Sequence, residues 1–138
     1  MTDGATRTGG CLCGAVRYSA PGTPLAVATC HCRDCQKQAG SAFSLLAIFP
    51  RDAVIFEGEL ALFSGRGDSG NAIERRFCRA CGSPISSDSD AMRERGVIVI
   101  KAGTLDDVSD LQPAIHYWTR SRQDWFALPT DVPQRDTV

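Results

Sequence analysis

Short apolar runs, each broken by turn residues, dominate the chain. "AVRYSA" (15–20), "LAVAT" (25–29), "FSLLAIF" (43–49), "AVIFEG" (53–58), "LALFS" (60–64), "AIERRFC" (72–78), "GVIVIKAG" (96–103) and "AIHYW" (114–118) are β-branched, aromatic or alternating, and read as strands. "PGTP", "FPRD", "GRGDSG" and "CGSP" supply turns between them. "AIERRF" mixes apolar and charged positions, as a half-buried strand does. Two stretches predict helix. "RDCQKQAG" (33–40) reads as a short helix closed by Gly40. "TLDDVSDL" (104–111) reads as one turn, with Thr104 as its cap and Asp106 and Asp107 in the first turn. No strand–helix–strand alternation occurs, which argues against a parallel α/β sheet. The expected architecture is mainly antiparallel β: one domain over 1–138, with metal-carrying loops and loose ends at about 1–9 and 130–138.

Composition narrows the function classes. The 138 residues suffice for one real core. Lys plus Arg (15) nearly balances Asp plus Glu (16), and like charges form no block. Neither nucleic acid nor an anionic membrane is an expected partner. The N-terminal "MTDGATRTGG" lacks the apolar core of a signal peptide, and the longest apolar run, "AFSLLAIF", is too short to span a bilayer. A soluble, cytoplasmic protein with reduced thiols is expected. The oligomeric state is not legible.

The seven cysteines change the picture most. Their number is odd, and Cys-x-Cys neighbours form disulfides only under strain. Packing gains nothing from thiols one or three residues apart. The clusters are Cys11 and Cys13, then Cys30, Cys32 and Cys35, then Cys78 and Cys81. Zinc takes four such ligands in a closed structural site, or three with one position left open. Two groupings compete. Either Cys11, Cys13, Cys78 and Cys81 close one site and Cys30, Cys32 and Cys35 form another, or Cys32, Cys35, Cys78 and Cys81 make a ribbon-like site. Spacing favours the first, because the second breaks up the tightest cluster. A glycine follows both Cys13 and Cys81, as in paired metal knuckles.

A three-thiolate site suits particular chemistry. Its zinc is a weaker Lewis acid than one held by neutral imidazoles, and it prefers a soft fourth ligand. A thiol substrate is the natural candidate. His31 lies between Cys30 and Cys32 in the chain and is poorly placed to join them on one ion. Its ring is expected to face outward, as a proton carrier or hydrogen-bond donor.

"GGCLCGAVRY", "CHCRDCQKQAGSAF", "FCRACGSPI", "IKAGTLDD" and "HYWTRSRQDWF", in that order, resemble the glutathione-dependent formaldehyde-activating (GFA) family, which includes centromere protein V-like proteins. The resemblance runs from about Gly9 to Asp131. It implies an Mss4-like fold of β-sheets around a structural zinc. It implies Cys11, Cys13, Cys78 and Cys81 on that ion, and Cys30, Cys32 and Cys35 on a catalytic one. It also implies carbon–sulfur lyase activity, with glutathione as co-substrate and formaldehyde as the aldehyde, giving S-hydroxymethylglutathione. Lys101, Arg120 and Arg122 are candidates by type for the glutathione carboxylates, and Phe43, Trp118 and Trp125 for an apolar mouth. Two other readings fit the same residues: a small-molecule lyase or hydrolase that uses no glutathione, and a non-catalytic binding module in which both zincs are structural.

Overall fold

A computed structural model describes residues 5–67 and 70–138 of the protein. The tip of the "GRGDSG" turn, Asp68 and Ser69, lies outside the described residues, as do residues 1–4. The fold is mainly β. Among the described residues ten strands run in the order β1 (Thr6–Gly10), β2 (Arg17–Pro21), β3 (Ala26–Cys30), β4 (Ser44–Pro50), β5 (Ile55–Glu57), β6 (Leu60–Arg66), β7 (Ala72–Cys78), β8 (Pro84–Asp88), β9 (Val97–Lys101) and β10 (Ile115–Tyr117). Helix α1 (Arg33–Ala39) follows β3, and α2 (Asp90–Glu94) follows β8. They form a three-stranded sheet, β1–β2–β5, and a seven-stranded sheet, β10–β3–β4–β9–β8–β7–β6. Pairing is antiparallel except between β10 and β3. Each of the eight runs read as strands overlaps one.

The apolar core lies where the two sheets meet. Tyr18 and Ala20 from the small sheet, with Val16 just before β2, pack with Val27, Ala47, Phe49, Ile98 and Ile100 from the large one. The two-residue strand period explains the choice, since these positions alternate along β2, β3, β4 and β9. Gly9 sits in β1 opposite Tyr18, where space is tight. A Cβ there would overlap the Tyr18 ring and stand 2.6 Å from the Thr104 carbonyl oxygen. Gly9→Ala should therefore cost about 1–3 kcal/mol through overpacking, read as a lowered urea midpoint.

Four sequence expectations need correction. The segment taken as a loose N-terminal end forms β1 from Thr6 onward, which signals weakly because its apolar content is nil and two of its five residues are glycine. The C-terminal end is also tied down. His116 N–H donates to the Pro133 carbonyl (3.0 Å), Arg135 N–H to His116 (2.9 Å) and Trp118 N–H to Thr137 (3.0 Å). "TLDDVSDL" is not a helical turn. A 3-10 turn ends at Thr104, whose hydroxyl donates to the Lys101 carbonyl and shares a hydrogen bond with Tyr18 rather than capping. Asp106 accepts from Arg17 and from the Thr8 hydroxyl, linking the segment to the small sheet. Fourth, β8 and α2 were not anticipated. In β8, "PISSD", only Ile85 is strongly apolar, yet Ser86, Ser87 and Asp88 are buried. Asp88 is accommodated by the guanidinium groups of Arg51, Arg76 and Arg93 around it.

Candidate metal centre

Two hairpin ends build the first sulfur cluster. The β1–β2 connection carries Cys11 and Cys13, and the β7–β8 connection carries Cys78 and Cys81. Each closes as a tight knuckle. Cys11 N–H donates to Val16 and Gly14 N–H to Cys11, while Cys78 N–H donates to Ser83 and Gly82 N–H to Cys78. Gly14 and Gly82 take φ of +83° and +80°, where a side chain would be strained. Leu12 N–H donates to Ser83 Oγ (3.0 Å) and joins the two knuckles.

All four Sγ atoms lie within 4.8 Å of one another. Cys11 and Cys13 are 3.6 Å apart, Cys13 and Cys78 3.8 Å. A tetrahedral ion with Zn–S near 2.3 Å requires sulfur separations of about 3.8 Å. Backbone N–H groups already point at these sulfurs: Val16 at Cys11 (3.2 Å), and Ala80 and Cys81 at Cys78 (3.3 and 3.5 Å). Such donors favour thiolate. The Val16 N–H holds the Cys11 thiol below its ordinary range. The Ser83 hydroxyl and N–H bring Cys81 down to about 5. The donor set fits zinc.

The second cluster sits at the other side of the large sheet. Cys30 ends β3, Cys32 caps α1, and Cys35 lies in its first turn, with Cys35 N–H donating to Cys32 Sγ (3.3 Å). The three Sγ atoms lie within 4.8 Å of one another, and among the described residues no further Cys, His, Asp or Glu joins them. Hydrogen bonds from Cys30 and Cys35 hold the Cys32 thiol far below its usual range. The grouping is thus four plus three, with the ribbon-like alternative set aside by the distances. Helix α1 closes as expected at Gly40, in the left-handed region at φ +66°. Buried Gln36 anchors the helix, donating to the carbonyls of His31 (2.8 Å) and Ser121 (2.9 Å).

His31 departs from its expected orientation. The ring does not face outward; it is fully buried. It packs against Phe43 (5.0 Å between centroids), Phe126 (5.6 Å) and His116 (5.9 Å). Neither ring nitrogen has a hydrogen-bond partner among the described residues. Burial, with help from the charges of His116 and Arg122, lowers its pKa to about 4, so the ring is neutral at pH 7. The aromatic residues around it draw the ring inward, which local sequence does not encode.

The other candidates separate. Trp118 packs on Cys30 and Cys32, in the left-handed region at φ +58°, and Arg120 lies over its ring (5.0 Å). A non-glycine residue held there stores strain. Phe43 lines His31, whereas Trp125 is exposed. Arg122 is close enough for its charge to reach His31. Lys101 is buried, with Nζ donating to Ser44 Oγ (2.9 Å). A cleft of 390 Å³ on the outer side of α1 is lined by Arg33, Lys37, Gln123 and Trp125 among others, and by none of the cysteines. Sequence reading missed Arg33, Lys37 and buried Arg75. Only Arg75 left a signal, a charge sharing a strand face with Ile73.

Fold and site define a mainly β protein with one four-sulfur and one three-sulfur cluster, each able to hold a metal ion. The family model described as "Glutathione-dependent formaldehyde-activating enzyme" matches residues 6–121, and the chain belongs to that family. Its two sheets and short helices fit the Mss4-like fold expected of it. A solved structure of a Rhodobacter sphaeroides protein is similar in fold, with a TM-score of 0.58 at 18% identity, covering 92% of this chain and 98% of that one. Among the described residues no helix is long and apolar enough to cross a membrane.

Proposed function

We propose that the protein is a cytoplasmic, zinc-dependent carbon–sulfur lyase that joins a small thiol, glutathione, to an aldehyde such as formaldehyde, or reverses that step. The observation that carries this reading is the contrast between the clusters: four sulfurs meet in one, three in the other. Cys11, Cys13, Cys78 and Cys81 are the proposed ligands of a structural zinc, and Cys30, Cys32 and Cys35 those of a catalytic one. Zinc held by three thiolates supplies an open position suited to a soft donor and lowers the pKa of a thiol that enters it.

In the proposed reaction the thiol sulfur bonds to the carbonyl carbon, the carbon–oxygen π bond breaks, and the thiol proton ends on the new hydroxyl oxygen. His31 is the proposed carrier of that proton. Its ring is neutral at pH 7, lies between two of the cysteines in sequence, and has both nitrogens without partners among the described residues. Gln36 and Trp118 hold the loop rigid around it. Arg33 and Lys37 on α1 supply the cations a glutathione carboxylate needs, more accessibly than buried Lys101.

Glutathione and formaldehyde condense unaided, so rate is the test. Zinc-loaded protein should speed exchange between glutathione and its hydroxymethyl adduct, followed by magnetisation-transfer NMR. No acceleration rejects this reaction for the chain. Freshly purified protein should also carry up to two zinc ions, one tight and one labile to mild chelation. A single ion whose removal exposes Cys32 while Cys11 stays reactive throughout would contradict the assignment.

A further inference from the structure

Strand β7 carries a charge where its pattern calls for an apolar residue. Ile73 and Arg75 share one face by the two-residue period, and Arg75 is only 8% exposed. The pairing register carries that face across the large sheet. Arg75 stands opposite Ser87, Ser87 opposite Val99, and Lys101 lies two residues beyond Val99 on the same face. Lys101 is 6% exposed and stands opposite Leu46, and its Nζ donates to Ser44, the residue opposite Cys30. One face of the sheet thus carries Cys30, Ser44, Lys101 and Arg75, while the other face fills the apolar core.

Buried cations are costly unless opposite charge compensates them. Among the described residues no carboxylate lies within ion-pair reach of Lys101 or Arg75. The strand register puts both cations on the face that carries Cys30, and Lys101 reaches it through Ser44, the residue opposite Cys30; three thiolates on an ion there would supply the opposite charge. A divalent ion with three thiolates carries a formal charge of minus one. The two cations turn that deficit into an excess of one positive charge, which a single anionic ligand neutralises.

We propose that Lys101 and Arg75 are specificity-determining residues that make the open position beside Cys30, Cys32 and Cys35 selective for an anion. A thiol held there is held as thiolate, and a neutral donor of similar size is disfavoured. The inference rests on reading this cluster as an open metal site. Without the two cations, three thiolates would repel a fourth negative ligand.

The test uses the full chain loaded with cobalt(II), whose visible absorption reports ligand entry. The probes are azide as anion, imidazole as neutral donor, and 2-mercaptoethanol as thiol. Lys101→Met and Arg75→Met should each weaken azide by about 10–100-fold, the range for a lost charge-assisted contact, and leave imidazole unchanged. Arg75→Lys should keep azide affinity. Unchanged azide binding in both neutral variants, or a parallel loss of imidazole, overturns the inference. A variant-free arm covers the case where the neutral variants do not fold: wild-type protein should bind azide at least as tightly as imidazole, and the reverse order overturns the inference. Azide binding without thiol binding would sink the lyase reading and leave the anion site standing. Thiol binding retained, with azide affinity unchanged in both Lys101→Met and Arg75→Met, would do the opposite.

Discussion

Cys78→Ser should leave the protein unfolded, or melting far below the wild type, when both are purified with zinc. Cys78 is 1% exposed, sits in the main core and closes the four-sulfur cluster that joins the β1–β2 and β7–β8 hairpins. Metal-binding energy at such a site is folding energy, on the order of 10–16 kcal/mol for structural zinc. A domain of this size has a total stability of about 5–15 kcal/mol. Opening the site by one of its four thiolates therefore puts at stake a sum comparable with the whole. Cys32→Ser should behave differently. Its cluster spans only Cys30 to Cys35, and Gln36 holds α1 through the His31 and Ser121 carbonyls without help from the sulfurs. Thermal melts of the two variants compare them directly. Equal large losses would make both clusters structural and raise the binding-module reading above the enzyme.

The second large effect is on rate. If the three-sulfur cluster activates thiolate, Cys32→Ser should abolish acceleration of glutathione–adduct exchange while the far-UV circular dichroism stays that of the wild type. His31→Ala should reduce the acceleration by about 100-fold or more, the usual worth of general acid–base help, with zinc content unchanged. Its removal also leaves a gap beside Phe43, Phe126 and His116. His31→Gln, which restores a polar side chain of similar reach, separates the two causes: activity regained with Gln would assign His31 to packing. Acceleration that survives Cys32→Ser would move the chemistry away from this cluster.

Local chemistry made much of the molecule legible. Strand runs such as "LAVAT" and "FSLLAIF" are apolar because they cross a shared core, and each overlaps the strand it announced in all but that strand's last residue. The knuckles were legible because two thiolates on one ion must lie a few residues apart, a constraint the chain writes directly into its order. Helix α1 was legible from Gly40, where the left-handed cap needs no side chain. Segments stabilised by distant partners were not. Strand β8 is polar and becomes a strand because β7 and β9 flank it and Arg51 receives Asp88. "LDD" was read as a helix start because acids favour helix N-termini. Instead the Asp106 carboxylate accepts from Arg17, the Asp107 carboxylate from Ser109, and the Asp107 backbone carbonyl from Arg7.

By itself the sequence determined the mainly β class, the three cysteine groups and the suitability of three soft ligands for a thiol. Each of these depends on residues near one another in the chain. Spacing favoured one way of pairing those groups, and only tertiary structure brings the pairs together, since Cys13 and Cys78 approach to 3.8 Å when two hairpins from different sheets are packed together. It decided that His31 turns inward, because Phe43 and Phe126 arrive from distant segments to enclose it. It also brought Lys101 and Arg75 onto the face of the three cysteines, through strand registers that no local pattern specifies. Pairing, burial and charge proximity are properties of contacts between remote segments, and they exist only once the sheet has formed.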